Sequence, residues 1–310
     1  MAEAAEPEEF EELRPLLFSI AYRILGSVTE AEDAVQETWL RFAGSATRPA
    51  SLRAFLSATV TRISIDVLRS ARVRREEYVG QWFPEPLLAD PYEDPARSAE
   101  LADSLSTAAL LLLERLSPLE RAVFVLREVF AFDFPDIASA VGRSEAACRQ
   151  LAVRARRHMD AGRPRFEADH RAQQELAARF FDALRAGDVD DLRELLAADV
   201  QLVGDSGGKA PQWSRPVVGA DSVARVLAGA FSWLARIDVT CEPHQVNGQP
   251  GAIVRDRDGK VLTTMTLDVL DGRVRTVRSV SNPDKLRHVG PVGDVWAVAR
   301  EVKLARRRTR

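Results

Sequence analysis

The sequence predicts a multidomain protein in which two all-α domains precede an α+β domain shaped as a cone. Apolar residues at helical spacing in two separate blocks predict the all-α part. Two short helices around a glycine predict a helix-turn-helix in the second block. Asn-Gly and Asp-Gly pairs between runs rich in Val, Ile and Thr predict the sheet of the last domain.

The composition is that of a soluble globular protein, with 310 residues, 46% of them hydrophobic and 29% charged. No apolar run approaches the roughly 18 residues of a membrane span, and the acidic N-terminus has no secretion signal. Cys148 and Cys241 are too few and too distant for a metal cluster, and such cysteine usage is typical of a reducing cytosol. We therefore expect a cytoplasmic protein with no metal and no cofactor.

Charge is segregated along the chain. The net charge of −3 argues against a wholly basic nucleic-acid binder. Residues 3–12 nevertheless hold six glutamates, residues 62–75 hold five arginines, and four arginines lie between Arg149 and Arg157. A basic helix of this kind has nucleic acid, an acidic protein surface or water as its candidate partner.

Residues 8–75 are predicted to form the first helical domain. In the stretch "EAEDAVQETWLRF", apolar residues recur at helical spacing from Ala31 to Phe42, and Asp33 and Glu37 lie on another face. The stretch 51–75 repeats this pattern, with arginines opposite its apolar stripe. Residues 76–100 hold four prolines without periodicity and are predicted to be a linker, although apolar residues in it indicate that it docks.

Residues 101–163 are predicted to form the second helical domain. The stretch "FPDIASAV" is a short helix with Pro135 near its start, where a missing N–H costs little. Gly142 ends this helix and Ser144 caps the next one. The second helix is basic on its outer face, as a DNA-reading helix-turn-helix requires.

Residues 171–288 are predicted to form the α+β domain, with helices followed by an antiparallel meander around an interior cavity. Residues 289–310 form a basic amphipathic tail. Two interpretations of the tail stay open: a docked helix with its arginines near DNA, or a frayed, solvated end. The apolar residues that would dock are Val295, Trp296, Ala299 and Val302.

Three stretches of the first half resemble the extracytoplasmic-function (ECF) sigma factors of bacterial RNA polymerase. "AEDAVQETWLRF" resembles their region 2.2, and "FLSATVTRISIDVLRSARVRR" resembles their regions 2.3 to 2.4. The stretch from "LSPLERAVFVLREVF" to "RQLAVRARRHM" resembles their region 4. The order of the two blocks makes this resemblance far more specific than the helix-turn-helix alone.

The resemblance implies partners and site residues. The partners are the RNA polymerase core, through its β′ clamp helices and β subunit, and the −10 and −35 elements of promoter DNA. The residues matching the polymerase surface are Asp33, Gln36 and Glu37; those matching the −10 surface are Arg53, Arg62, Arg69 and Arg72. Many family members have asparagine in place of Arg62, so the −10 contacts are expected to differ. The residues expected at the −35 element are Ser144, Glu145, Arg149, Gln150, Arg154 and Arg157.

Residues 171–288 resemble the SnoaL-like fold, and the whole chain is similar to the ECF group with a fused SnoaL-like C-terminal extension. "WFPEPLL" resembles the linker motif of that group, "DSGGK" its DGGGK loop and "SNPDKLRHV" its NPDKL motif. The resemblance implies that the extension regulates the sigma domains in cis. The expected regulatory residues are Trp82, Phe83, Pro84, Glu85, Pro86, Asp205, Gly207, Gly208, Lys209, Asn282, Pro283, Asp284, Lys285 and Leu286.

Two alternatives stay open. The cone fold also hosts isomerases and cyclases, and Asp238, Asp268 and His244 are candidate acid–base groups. The domain has no tyrosine to serve an oxyanion, so we expect no enzyme and no catalytic residue, while a small-molecule ligand in the cavity remains possible. The second alternative is a one-component transcription factor with a ligand domain, which would bind duplex DNA without polymerase.

Overall fold

The computed structural model describes residues 5–45, 49–76, 78–92, 94, 98–162, 170–211 and 215–308. The chain divides into two compact units. The N-terminal unit consists of Met1–Glu77 and Asp90–Arg163, and the C-terminal unit consists of Tyr78–Ala89 and Pro164–Arg310. The segment 76–100 is therefore divided between the two units. In the described part of the chain, we find no helix with the length and apolarity needed to cross a bilayer.

The N-terminal unit is helical. Its helices are α1 (Ala5–Leu25), α2 (Val28–Ala43), α3 (Leu52–Glu76), α4 (Ser98–Leu105), α5 (Thr107–Leu113), α6 (Pro118–Phe124), α7 (Phe134–Val141) and α8 (Glu145–Gly162). A π-helical turn, Val125–Val129, follows α6. Local side chains set the helix starts: the Ser27 hydroxyl accepts from the Glu30 amide at 3.1 Å, and Ser117 and Glu120 form a reciprocal capping box.

A buried arginine joins the helices of this unit. Arg23 of α1 is fully buried and donates to Ser104 Oγ and to the Leu101 carbonyl, both at 2.9 Å. Its charge is balanced by Asp90 at 2.9 Å. The side chain of Arg121 on α6 donates in turn to the Arg23 carbonyl at 3.0 Å. These contacts join both helical blocks in one polar core. They are needed because a buried guanidinium is stable only when it is paired and hydrogen-bonded.

The helix-turn-helix forms as its sequence predicts. Gly142, between α7 and α8, has φ 64° and ψ 43°, the left-handed conformation that favours glycine after a helix. The Ser144 hydroxyl accepts from the Ala147 amide at 3.3 Å and caps α8. Cys148 and Leu151 on the inner face of α8 are buried.

The C-terminal unit packs helices against one curved sheet. Its helices are α9 (His170–Ala186), α10 (Val189–Leu195), α11 (Ala220–Ala235) and α12 (Val295–Arg308). Its strands are β1 (Leu196–Asp205), β2 (Val217–Val218), β3 (Thr240–Val246), β4 (Gln249–Arg255), β5 (Val261–Leu270) and β6 (Arg273–Val280). The core lies between α9, α11 and the sheet, and includes Phe180, Leu227 and Met265.

The strand order is β2-β1-β6-β5-β4-β3. The predicted antiparallel meander is confirmed for β3 to β6. The sheet is mixed, however, because β1 pairs parallel with β6, and Asp205 lies beside Val280. Hydrophobic alternation predicts a strand but not its neighbour, so the sequence did not reveal this pairing. The tight turns hold Asn247 and Asp271 at φ 54° and 52°, each followed by a left-handed glycine.

Candidate functional site

The outer face of α8 is basic and exposed. Arg149, Gln150, Arg154 and Arg157 are all exposed, and Glu145 is half-buried. Arg149 pairs with Glu145 at 2.8 Å, and its guanidinium lies 4.9 Å from the centre of the Phe134 ring. Surface ion pairs of this kind contribute about 1 kcal/mol or less, so an incoming phosphate or base edge can displace them.

The arginines expected at the −10 element have different surroundings. Arg53 of α3 lies over the Phe132 ring at 5.5 Å. Arg62 donates to the carbonyls of Ser139 and Ala140 at 2.5 and 3.1 Å, at the C-terminal end of α7. These contacts stay within the N-terminal unit, and they stabilise the end of α7, where unpaired carbonyls favour a cation.

The remaining two −10 candidates lie further along α3. Arg69 is exposed and pairs only loosely with Asp66, at 3.3 Å. The side chain of Arg72 lies outside the described part of the structure. In the described conformation the −10 candidates therefore do not form one uniform basic track, because Arg53 and Arg62 are engaged with the second helical block.

The acidic face of α2 contains the residues expected at the polymerase. Asp33 and Gln36 are exposed, and Glu37 pairs with Arg41 at 2.8 Å. Leu40 lies one turn beyond Gln36 on the same face and is 64% exposed. Single exposed leucines are common on protein surfaces, so Leu40 alone does not identify an interface. Leu40 is not among the residues that the family resemblance implies at the polymerase surface.

A third site, which we call the linker clamp, consists of segment 78–89 and the loops 205–209 and 282–288 of the C-terminal unit. The residues expected to regulate the chain meet here. Phe83, Pro84, Pro86 and Leu87 are buried, whereas Trp82 and Glu85 are half-buried. The apolar residues of the linker segment therefore pack into the C-terminal unit rather than facing solvent.

Asp205 is the central residue of the linker clamp and has no exposed surface. One carboxylate oxygen accepts from the Phe83 amide at 2.8 Å and from Lys285 Nζ at 2.7 Å. The other accepts from the Gly207 amide at 3.1 Å and from the Tyr78 hydroxyl. Burial, together with the hydrogen bond to Asp205, raises the pKa of Tyr78, so the phenol remains a donor.

Lys285 supplies the cation of the linker clamp and is 6% exposed. Its ammonium pairs with Asp205, donates to the Phe83 carbonyl, and lies 4.8 Å from the Tyr78 ring centre and 4.2 Å from the Trp82 ring centre. A carboxylate, a carbonyl and two aromatic faces satisfy this buried charge. Lys285 therefore recognises the linker segment through both backbone and side chains.

The two glycines of the "DSGGK" loop are required by close packing. Gly207 has φ 56°, and a Cβ atom there would lie 2.4 Å from Asn282 Nδ2 and 2.9 Å from the Tyr78 hydroxyl. Gly208 has φ 72° and lies against Val79. Ser206 replaces a glycine of the related motif. Its φ is not positive, so the position accommodates a side chain without backbone strain.

Two further contacts hold the end of the linker segment. The backbone N–H of Asn247 donates to the Leu87 carbonyl at 2.7 Å, and the side-chain Oδ1 of Asn247 accepts from the backbone N–H of Leu87 at 3.2 Å. A ring nitrogen of His288 lies 2.6 Å from the Pro86 carbonyl. The sequence interpretation missed both residues as contacts. The sequence predicts Asn247 only as a turn residue and assigns no role to His288, two residues after Leu286.

The exposed edge of the linker clamp is an ion-pair chain. Lys209 pairs with Asp284, and Asp284 also pairs with Arg287 at 2.8 Å. The hydrogen bond from Lys209 lowers the pKa of Asp284. The Asn282 side chain accepts from the Asp284 amide at 3.1 Å and starts the short 3-10 turn Pro283–Lys285, after which Leu286 is fully buried.

The candidate acid–base groups do not come together as a catalytic site. Asp268 is buried, pairs with Arg278 and accepts from Gln249 Nε2 at 3.0 Å. His244 and Asp238 are exposed, on β3 and in the preceding turn. Within the described residues, none of these three side chains lines the large cavity of the C-terminal unit.

Comparison with known proteins agrees with this organisation. Sigma-70 region 2 matches residues 10–74, Sigma-70 region 4 matches residues 106–159, and the SnoaL-like domain matches residues 177–302. The chain is 40% identical to "ECF RNA polymerase sigma factor SigJ" of Mycobacterium tuberculosis, over 90% of this chain and 93% of that protein. It is 30% identical to "Probable ECF RNA polymerase sigma factor SigI" of the same species, over 88% and 92% of the two chains.

The crystal structure of the Mycobacterium tuberculosis extracytoplasmic function sigma factor SigJ is also similar. It matches with a TM-score of 0.69 and 36% identity, over 90% of this chain and 98% of that one. The predicted fold class, two helical sigma domains and an α+β SnoaL-like domain, is therefore confirmed. This chain belongs to the ECF sigma factors that carry a SnoaL-like C-terminal domain.

Proposed function

We propose that this chain directs RNA polymerase core to specific promoters and that its C-terminal domain regulates this activity in cis. The observation that carries the proposal is the exposed basic face of α8, presented by a left-handed glycine turn within a sigma region 4 match. Arg149, Gln150, Arg154 and Arg157, with Ser144 and Glu145, would read the −35 element in the major groove.

The −10 element would be held by α3. Single-stranded DNA needs a basic track, and Arg53, Arg62, Arg69 and Arg72 supply it in our proposal. Nε and Nη2 of Arg62 donate to the α7 carbonyls, so Arg62 would contact DNA through Nη1 or exchange these hydrogen bonds for phosphate contacts.

The polymerase core would bind the acidic face of α2. Asp33, Gln36 and Glu37 would orient a basic partner surface, and Leu40 would supply apolar contact area in its centre. The test replaces Leu40→Ser and, as a control, Leu304→Ser, since Leu304 is also exposed, at 56%. We expect Leu40→Ser, but not Leu304→Ser, to weaken binding to the polymerase core. If both variants bind the core with the same affinity, this face of α2 is not the polymerase-binding surface.

Cis regulation would act through the linker clamp. Segment 78–89 connects the two sigma blocks in sequence, yet it belongs to the C-terminal unit and is held there by Asp205 and Lys285. A linker fixed in this way cannot act as a free tether, so its release or retention would change how the sigma blocks reach the promoter. A small molecule in the cavity of the same unit would be a means of control.

In vitro transcription with core polymerase tests the proposal. We expect promoter-specific transcripts from the full chain, and specific DNA binding only when core polymerase is present. Tight duplex binding by the free protein without transcripts would instead favour a one-component transcription factor. The relatives carry the names of sigma factors rather than of enzymes, and we propose no catalytic role.

A second comparison tests the regulation. Tyr78→Phe removes the hydroxyl that contacts Asp205 and Asn282, whereas Tyr92→Phe removes a hydroxyl elsewhere in the linker, next to Phe130. We expect Tyr78→Phe to change transcript yield at equal protein concentration and Tyr92→Phe to leave it unchanged. Wild-type yields from both variants would contradict regulation through the linker clamp.

A further inference from the structure

The C-terminal unit has a partly open cavity of about 520 Å³ between the sheet, α11 and α12. This volume lies within the range of cavities that bury a small organic ligand. Leu202 and Met265 contribute from the sheet, Leu227 and Phe231 from α11, and Val298 and Val302 from α12. The body of the cavity is therefore apolar.

The charged groups of the cavity lie at one end. Lys303 and Arg306, on the last turns of α12, line it, and among the described residues no carboxylate does. The Lys303 side chain is exposed, and within the described part of the chain its ammonium group has no ion pair or hydrogen-bond partner. Arg306 lies over the Trp233 ring at 5.4 Å, which leaves its guanidinium edge available.

Three hydroxyl groups lie in the cavity wall, on Thr263, Ser279 and Ser281, and two of them form hydrogen bonds within the wall. Thr263 donates to the Val280 carbonyl at 2.8 Å, and Ser279 donates to the Val203 carbonyl at 3.5 Å. These groups therefore create little demand for a polar ligand. The chemistry of the lining divides into an apolar body and a cationic rim.

Helix α12 is held in place by an N-terminal cap, an ion pair and apolar packing, and Val295, one of the packing residues, also lines the cavity. Asp294 Oδ1 accepts from the Ala297 amide at 2.9 Å and starts the helix, and Glu301 pairs with Arg257. Val295 packs against the core, whereas Trp296 lies off this face and keeps 48% of its surface exposed. The helix thus presents Lys303 and Arg306 to the cavity from a fixed position.

We propose that this cavity binds an apolar monoanion, such as an aliphatic or aromatic carboxylic acid, with its acidic group at Lys303 and Arg306. This inference extends the proposed function by naming the ligand class. It is tested by binding to the full chain without polymerase, so a failure of binding and a failure of transcription are distinguishable.

The first measurement is fluorescence of the apolar sulfonate 1-anilinonaphthalene-8-sulfonate, followed by displacement with decanoate or 1-decanol. We expect decanoate to displace the probe at a concentration at least about tenfold lower than decanol, since a hydrogen-bonded charge pair contributes at least that factor. Equal displacement by the acid and the alcohol would overturn the assignment of an anion.

Variants locate the ligand. The double change Lys303→Gln/Arg306→Gln should weaken decanoate binding about tenfold, and Lys260→Gln/Arg307→Gln, which removes two cations outside the lining, should leave it unchanged. Ala230→Trp fills the cavity from a half-buried position on α11 and should abolish binding in a chain whose thermal unfolding is unchanged. Undiminished binding by the folded Ala230→Trp variant, or equal effects of the two double changes, would overturn the proposal.

Discussion

Lys285 in the linker clamp and the arginines of α8 carry the same charge in opposite surroundings. Lys285 is 6% exposed and is satisfied by Asp205, the Phe83 carbonyl and two aromatic rings. Arg149 and Arg157 are exposed, and Arg149 has a surface ion pair with Glu145 and lies over the Phe134 ring. The buried charge therefore determines the fold of its surroundings, whereas the exposed charges remain available to a partner.

The largest effect is expected in the linker clamp. Asp205→Asn leaves the Lys285 charge buried without a counterion, which should lower the free energy of unfolding of the C-terminal unit by about 3–5 kcal/mol. Hydrogen exchange should show earlier loss of protection at the Phe83 amide. Asp284→Asn is the control, because its partner Lys209 is exposed and the pair contributes at most about 1 kcal/mol. Equal effects of the two changes would remove the distinction between buried and exposed charge.

Arg62 lies between the two extremes, since it is exposed but donates to two carbonyls of α7. Arg62→Ala should lower the stability of the N-terminal unit by about 1–2 kcal/mol. Arg69→Ala, on the same helix with one loose ion pair, should change it by less than about 0.5 kcal/mol. Chemical denaturation followed by helical circular dichroism measures both. If Arg69→Ala is as destabilising as Arg62→Ala, the α7 contacts do not stabilise this unit.

For the exposed arginines of α8, we expect a substitution to change DNA binding but not the stability of the protein. Arg157→Ala should alter unfolding by less than about 0.5 kcal/mol. In the complex with core polymerase, it should reduce the salt dependence of promoter binding by about one unit of slope, as loss of one phosphate contact does. Arg171→Ala, an exposed arginine on α9, serves as the matched control. An unchanged slope for Arg157→Ala would exclude Arg157 from the DNA surface.

The smallest effect concerns pH. The pKa of Asp284 is lowered, mainly by the hydrogen bond from Lys209, so the carboxylate contributes stability above the ordinary aspartate pKa of about 3.9. This contribution is lost as pH falls through the lowered value of the folded state. It should be well below 1 kcal/mol, because the pair is exposed. Carbon-detected NMR titration should show the pKa of Asp284 rising in Lys209→Met; an unchanged value would contradict this cause.

The local structure was predictable because its determinants are local. Pro135, Gly142 and Ser144 lie within a few residues of the helix ends that they define, and Asn247-Gly248 fixes its own turn. The outward orientation of Arg149 and Arg157 follows from the helical period in the same way. The motif residues of the linker clamp came from family resemblance rather than from spacing.

The contacts of those residues were not predictable, because they depend on distant partners. Asp205 and Lys285 are 80 positions apart, and Arg62 lies 77 and 78 positions from the carbonyls that it contacts. The burial of Arg23 in the core of the N-terminal unit likewise depends on Asp90 and Ser104. Periodicity assigned arginines to surfaces and gave no indication that two of them, Arg23 and Arg121, are buried.

The parallel pairing of β1 with β6 has a consequence for how the sequence can change. Asp205 ends β1 beside Val280 at the end of β6, so the "DSGGK" and "NPDKL" loops leave the sheet at the same edge. An insertion in the β5–β6 hairpin turn at Asp271–Gly272 would leave that edge intact. A single inserted residue within β1 or β6 would instead turn every following side chain to the opposite face. Length variation in related proteins should therefore be tolerated in the β5–β6 turn, while both strands keep their spacing to the motifs.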